Sequence, residues 1–338
     1  MIDLRSDTVT KPTQGMLEAM FSAKVGDDVF DEDPTVIELE KKAADCFGME
    51  KAIFCPSGTM TNQIAIKLHV SPGDEVICSS ESHIYRYEGG GIAFNSSASV
   101  RLISGWTGLI TAEQVIREIN QNNIHFPVTR LVSLENTSNR GGGCCYDIRE
   151  IEAIHEVCKS RKLKLHLDGA RLFNAIIANK ENPRQYGKLF DSVSLCFSKG
   201  LGAPVGSVLM GTREDILRAK RIRKVLGGGM RQAGFLAAAA SYALDHHIVK
   251  LERDHKNAER IGLAAKKNKY VKEVLPVETN IVVLVLKETI ANSVFISKLK
   301  DANVNTVDFG HQRVRLVTHL GLTDEDIITV EQALVNMS

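Results

Sequence analysis

No stretch of 18 consecutive apolar residues occurs in the sequence, so it offers no segment able to cross a bilayer as a helix. The opening residues, MIDLRSDTVTKPT, lack the apolar core of a secretory signal. Charge of one sign is missing as well. Lysine and arginine number 42 against 41 aspartates and glutamates, a formal net charge of +1, which gives no electrostatic footprint for nucleic acid. The basic run from Arg218 to Lys224 has helical spacing and reads as a solvated helix face. Cysteine is present without a pattern: Cys46, Cys55, Cys78, Cys144, Cys145, Cys158 and Cys196 make an odd count with no C-x-x-C pair. That argues against a disulfide framework or a zinc site and for free thiols in a reducing compartment. No internal repeat stands out, and no G-x-G-x-x-G turn opens a helix, which removes the signature of a dinucleotide-binding protein. The expectation is a cytoplasmic protein with neither a membrane nor a nucleic-acid partner.

What is there fits a globular chain: 43% hydrophobic and 25% charged residues, with a mean hydropathy of −0.08. Short β-rich runs at 52–55, 75–79, 130–135, 163–168, 192–198 and 207–211 alternate with amphipathic stretches such as 59–70 and 148–161. Alternation of this kind predicts an α/β fold with a mostly parallel sheet covered on both faces. Thr111 with Gln114, and Asp147 with Glu150, resemble capping boxes. Residues 231–267 read as one long helix. A smaller α+β pattern follows, with strands at 279–286, 305–309 and 314–317 and helices at 293–302 and 323–335. The division expected is an N-terminal arm (1–25), a large α/β domain (26–247) and a small C-terminal α+β domain (248–338).

Ligands of open α/β sheets bind beyond the carboxyl ends of the strands. The first run delivers Pro56-Ser57-Gly58-Thr59 at a helix start, where free N–H groups and the helix dipole suit a phosphate; an ordinary N-cap is the plain alternative. The second delivers His83. The fourth ends in Asp168-Gly169-Ala170-Arg171. A buried aspartate needs a cationic or donor partner, and either Arg171 or a protonated heterocycle nitrogen could supply it. The fifth delivers Ser198-Lys199 into a glycine-rich turn, and a desolvated lysine amine is a nucleophile toward aldehydes. A phosphate cradle, an acid, a ring for stacking and a Schiff-base lysine are what pyridoxal 5′-phosphate requires.

The chain resembles the low-specificity L-threonine aldolases of the β-eliminating lyase group, which are fold-type I enzymes dependent on pyridoxal 5′-phosphate. The likeness runs through IDLRSDTVTKPT from Ile2, VGDDVF-x-EDPTV from Val25, PSGTM from Pro56, ESHIY from Glu81, NIHFP from Asn123, HLDGAR from His166, SKGLGAPVGS from Ser198, GGGMRQAG from Gly227 and RLVTH from Arg315. It implies that Lys199 forms the Schiff base, Asp168 pairs with the pyridine nitrogen, His83 stacks on the ring, and Gly58 and Thr59 hold the phosphate. It implies a substrate carboxylate bound by Ser6, Arg171 and Arg315 and a pocket shaped by Tyr87. His83 or His125 would be the base. It further implies a homotetramer with sites at a dimer interface, where Lys224 and Arg231 reach a neighbour's phosphate, and a structural cation, monovalent or calcium, near Thr8 and Thr10. The reaction implied is retro-aldol cleavage of L-threonine and L-allo-threonine to glycine and acetaldehyde. The nearest alternatives are another fold-type I activity, such as a β-eliminating lyase or aminotransferase, and a non-catalytic pyridoxal-phosphate-binding protein. The sequence departs from the family at Ser138, where histidine is usual, at Asp31, where glycine is common, and in the run Gly141–Cys145. These departures bear on rate and substrate preference and leave the reaction class intact.

Overall fold

The computed structural model describes residues 1–337. The first strand, β1 (Ile2–Asp3), is short, and its parallel partner is Val304–Asn305, near the other end of the chain. Seven strands follow that form one sheet: β2 (Lys51–Cys55), β3 (Glu75–Ser79), β4 (Ser99–Ile103), β5 (Thr129–Glu135), β6 (Lys164–Gly169), β7 (Ser192–Cys196) and β8 (Ser207–Gly211). Their order is β2-β8-β7-β6-β5-β3-β4, and only β8 runs antiparallel to its neighbours. Both faces are covered, as the alternation along β2 shows. Ala52 and Phe54 join the apolar cluster on one side, and Ile53 and Cys55 join that on the other. Side chains two apart share a face, and β2 beyond Lys51 is accordingly apolar on both, whereas β6 and β7 alternate, with Leu165, Leu167, Val193 and Leu195 in the apolar cluster of one face and the buried polar side chains of His166, Asp168, Ser192 and Ser194 on the other.

The remaining strands are β9 (Val271–Val274), β10 (Ile281–Leu286), β11 (Val304–Asn305), β12 (Val307–Asp308) and β13 (Arg313–Val317). A four-stranded antiparallel sheet has the order β12-β13-β10-β9, and β11 pairs with β1 instead. Ile2 and Leu4 thereby enter the apolar cluster around Val282, Leu284 and Leu316, and the Leu4 carbonyl accepts from the Val317 N–H at 2.9 Å. Among the described residues no helix is long and apolar enough to cross a membrane.

Several expectations need correction. The helix expected at 231–267 breaks into Gly234–His246, a 3₁₀ turn at Ile248–Lys250 and Leu251–Ala265. His247 is buried at the break with Nδ1 2.8 Å from the Leu201 carbonyl oxygen, and the branched pair Ile248-Val249 follows it. The strand expected at 305–309 divides because its two halves pair with different strands, β1 and β13. The run at 192–198 ends as a strand at Cys196, leaving Ser198-Lys199 free to turn. The basic face at 218–224 is not wholly solvated: Arg223 is buried, donating to Asp28 Oδ2 at 2.7 Å and to the Phe54 carbonyl at 2.6 Å. Thr111 and Gln114 form the expected capping box, whereas Asp147 caps alone and Glu150 accepts from the Ala112 N–H at 2.7 Å. The edge strands β4 and β9 escape sequence reading because edge residues such as Ser99, Lys272 and Glu273 stay exposed and break the apolar run.

Asp254, on the helix Leu251–Ala265, is buried with Oδ2 unpartnered among the described residues. Burial and the charge of Asp7 push its carboxyl up to about 8. Between the unfolded value of about 4 and this one, the folded chain holds a proton that the unfolded chain has released. Stability attributable to this group therefore falls as pH rises through that window, by about 1.4 kcal/mol per pH unit at most. Asp254→Asn should raise the unfolding midpoint, and by more at pH 8 than at pH 5. Thermal denaturation at the two pH values checks this, and an equal gain at both contradicts it.

Candidate active site

The carboxyl ends of β3, β5, β6 and β7 meet at a cavity of about 320 Å³. Ser6, Thr8, His83, Tyr87, Arg171, Lys199 and Arg315 all line it, so seven of the residues singled out from sequence share one pocket. Asn139, Arg140, Val307, Asp308 and Phe309 complete its wall. His125 does not reach this pocket and lies on the exposed loop before β5. Lys224 and Arg231 also lie outside it; Arg231 pairs with Asp27 at 2.9 Å. Thr10 sits behind the wall, its hydroxyl donating to the Asp7 carbonyl at 2.6 Å.

Lys199 reaches the pocket because the chain turns directly after β7. The Gly202 N–H donates to the Lys199 carbonyl at 2.8 Å, and Gly202 has a φ of 77°, a conformation that favours glycine. The Lys199 amine is half-buried and makes no ion pair or hydrogen bond among the described residues. Its charge is felt by its neighbours and helps hold the Asp7 carboxylate ionised.

Arg171 does not pair with Asp168, the partner three residues earlier in the chain. It makes a two-pronged bond to Asp7: Nε to Oδ2 at 2.8 Å and Nη2 to Oδ1 at 2.7 Å, both side chains being buried. Asn280 Nδ2 adds a third donor to Asp7 Oδ2 at 3.2 Å. Burial alone would raise the Asp7 carboxyl, but the charge and bonds of Arg171, with Lys199 and Asn280, outweigh it and bring it down to about 2. Arg315 donates to Asn139 Oδ1 at 2.6 Å and to the Arg5 carbonyl at 2.9 Å, and its buried Nε has no partner among the described residues. Burial, then the nearby Arg171 charge, lowers it to about 10. Arg171 and Arg315 thus face one pocket and only Arg171 has a carboxylate partner, an arrangement that suits an incoming anion.

Asp168 is held from behind by a run of hydrogen bonds with one direction. The two hydrogens of Asn62 Nδ2 go to Asp168 Oδ2 and Glu88 Oε1, each at 2.9 Å. Asn62 Oδ1 must then accept, and it does so from His166 Nε2 at 3.1 Å. That fixes the His166 tautomer, so Nδ1 accepts from Ser192 Oγ at 2.9 Å, and Ser192 Oγ in turn accepts from His69 Nε2 at 2.9 Å. Burial lowers both histidines to about 4, so both are neutral near pH 7, as this pattern requires. Glu88 Oε1 also bonds His83 Nδ1 at 3.0 Å. Burial disfavours a charged His83 ring, but the Glu88 bond and the Asp168 and Glu88 charges outweigh that and raise its pKa. Glu135 accepts from the His83 and Asn139 N–H groups at 2.6 and 2.9 Å, and burial, then Asp168, raises its carboxyl.

Sequence reading missed Asp7, Asn62, Glu88, Glu135 and Arg140. The signal available for Asn62 was a polar pair, Asn62-Gln63, directly before the apolar run Ile64-Ala65-Ile66 on the helix Gly58–His69. The others carry no local signal, because their partners lie far away in the chain.

These residues fit pyridoxal 5′-phosphate. Ser57 caps the helix that starts at Gly58, and a Cβ at Gly58 would collide with Cys196 Sγ, so only glycine brings this backbone so close to β7. Asp168, Glu88 and His83 bring ligand atoms within 4.8 Å of one another in a buried space, where a ring N–H beside Asp168 would offset clustered negative charge. Ser194 Oγ, also on β7, is buried and unpartnered among the described residues.

A family model described as β-eliminating lyase matches residues 3–289. The probable low-specificity L-threonine aldolase 2 of Arabidopsis thaliana is 41% identical over 334 residues, covering 96% of this chain and 94% of that protein. The low specificity L-threonine aldolase of Escherichia coli (strain K12) is 42% identical over 332 residues, covering 98% and 97%. The solved structure of Leishmania major threonine aldolase superposes with a TM-score of 0.87 at 20% identity over the full length of both chains, a likeness of fold.

Breaking the Asp7–Arg171 pair would leave a buried charge uncompensated. Asp7→Ala should therefore cost about 3–5 kcal/mol of unfolding free energy. Asp45→Ala, which breaks the exposed Lys41–Asp45 pair, should leave the unfolding free energy nearly unchanged. Denaturant titration of the two variants checks the contrast.

Proposed function

The chain belongs to the β-eliminating lyase family, and on that premise we propose that it cleaves L-threonine and L-allo-threonine to glycine and acetaldehyde with pyridoxal 5′-phosphate as cofactor. The observation that carries this reading is the meeting of an unpaired Lys199 with Arg171 and Arg315 in one pocket beside Asp168, in a chain 42% identical to a relative named for that activity. When bound, the cofactor supplies an electron sink conjugated to the amino-acid Cα. Lys199 would hold the cofactor at its aldehyde carbon and would move a proton at Cα. Asp168, held in place by Asn62, would accept from the ring N–H, and Gly58 and Thr59 would offer N–H groups to the phosphate. His83 would pack against the ring.

Arg171, Arg315 and Ser6 hold the substrate carboxylate. Fixing that group would fix which bond at Cα is presented to the cofactor. Asp7 occupies two donors of Arg171 and so sets the plane of its guanidinium. His83, bonded at Nδ1 to Glu88, has Nε2 left to take the β-hydroxyl proton. Tyr87, whose ring centre is 5.5 Å from that of His83, bounds the space for the substituent at Cβ.

Lys224, Arg231 and His125 lie outside this chain's pocket, so the roles proposed for them need a second copy. The strongly exposed Val225 and Phe30 beside Lys224 and Arg231, and Ile124 beside His125, support a homotetramer with sites at a dimer interface. The cation proposed near Thr8 and Thr10 has the hydroxyl of Thr8 and the buried Asp7 in its support. The proposed division remains an arm (1–25), a large cofactor-binding domain (26–247) and a small domain (248–338), and the separate sheets support it. Seven free cysteines support a cytoplasmic setting.

Purified protein loaded with cofactor should release acetaldehyde and glycine in equal amounts from both diastereomers. Lys199→Ala should lose the visible cofactor band and about a thousand-fold or more of the activity. Absence of aldehyde release from either diastereomer with cofactor bound overturns the reading. With His83 as base, activity should rise with pH through its raised pKa, so the acid limb of kcat/KM should lie above 6.5. Glu88→Gln removes the carboxylate that raises it and should move that limb to lower pH.

A further inference from the structure

The pocket contains a third guanidinium that binding of the α-carboxylate does not use. Arg140 follows β5 and lines the same cavity as Arg171 and Arg315. Its Nε donates to Glu81 Oε2 at 3.2 Å, and Nη1 donates to Tyr87 Oη and to the Phe309 carbonyl, both at 3.3 Å. Its plane packs on the Phe309 ring, 4.4 Å from the centroid, and Arg315 lies 5.0 Å from the same centroid. These contacts fix the guanidinium and leave both hydrogens of Nη2 without an acceptor among the described residues. The nearest carboxylate, Glu81, is shared with Arg86 at 2.6 Å.

The balance of charge is therefore positive. Asp7 answers Arg171, half of Glu81 answers Arg140, and Asp308, which also lines the pocket, has Oδ1 taken up by Asn292 Nδ2 and the Gly310 N–H, while Arg315 has no carboxylate partner and a buried Nε with none either. The α-carboxylate of an amino acid neutralises one charge. Tyr87 stands between His83 and Arg140, so Arg140 lies toward the side where the substituent on Cβ emerges.

We infer that the pocket accepts β-hydroxy-α-amino acids carrying a second carboxylate on Cβ, with Arg140 binding that carboxylate, so that 3-hydroxyaspartate is cleaved to glycine and glyoxylate. This rests on the aldolase reading above. A carboxylate suits the space better than a bulkier anion, because one nitrogen of Arg140 is free and the cavity is only about 320 Å³. The step balances without an oxidant. The Cα–Cβ bond breaks, and the β-hydroxyl gives its proton to the base while its oxygen becomes the carbonyl of glyoxylate. The electron pair stays at Cα and is protonated to give glycine. Arg140 acts here as a specificity-determining residue.

The test compares L-threo-3-hydroxyaspartate with L-threonine on the cofactor-loaded enzyme, measuring glyoxylate and acetaldehyde. The wild type should cleave hydroxyaspartate with a kcat/KM at least equal to that for threonine. Arg140→Gln should lower the hydroxyaspartate-to-threonine ratio of kcat/KM by about tenfold or more, the scale of losing one charge-assisted contact, mainly through KM, and Arg140→Lys should restore part of it. Calorimetry supplies a readout without turnover. L-Aspartate, which lacks the β-hydroxyl, should bind the wild type more tightly than L-alanine and lose that advantage in Arg140→Gln. No glyoxylate from a wild type that releases acetaldehyde from threonine overturns the inference and leaves the aldolase reading standing. An unchanged ratio in Arg140→Gln overturns it too, and shows that Arg140 only seats Phe309. No acetaldehyde from threonine is instead a failure of the aldolase reading.

Discussion

The bond between Asp7 and Arg171 is the constraint on which the site is built. It joins the first turn of the chain to the end of β6, and through Asn280 it joins both to the start of β10. Two charges taken out of water at this depth pay back their desolvation only with close geometry and full hydrogen bonding. The pair meets that condition at Asp7, where both oxygens are occupied. Its consequence is orientation: an arginine held by Nε and Nη2 keeps only one edge free for a ligand, so the direction of approach is set before any ligand arrives.

Behind Asp168 the same logic works with neutral groups. From His69 to Ser192, His166 and Asn62, each donor points toward the Asp168 and Glu88 carboxylates. A single amide nitrogen serves both carboxylates, so neither can rotate without cost to the other. In a low-dielectric interior such a run is stronger than its separate bonds. Its members come from the helix Gly58–His69 and from β6 and β7, elements packed so closely that a side chain two residues before Asp168 on the same strand meets the face of that helix.

The two halves of the design were unequally legible. The placement of Lys199, Asp168, His83 and Gly58 at or just beyond strand ends could be read because the apolar run before each marks the strand that delivers it. Arg171 was legible as a site residue, but its partner was not. The nearby Asp168 was the obvious candidate, and the true one lies 164 positions away. Asn62, Glu88 and Glu135 matter through partners brought near by the sheet order, and nothing in their own neighbourhoods announces that. The small sheet was read in outline only, because β11 and β12 are two residues each and their register depends on β1 and β13.

The pairing of β1 with β11 has a consequence in time. Residues 2 and 3 find their parallel partners only at 304 and 305, so a growing chain carries Ser6 and Asp7 unplaced through most of its synthesis. Non-local pairing of this kind is slow, because the loop must close before the contacts repay it. The large sheet can assemble while the ribosome is still at work; the pocket cannot. Until the last strands emerge, Arg171 lacks its counter-ion, and the nascent protein is a folded scaffold with an unfinished site.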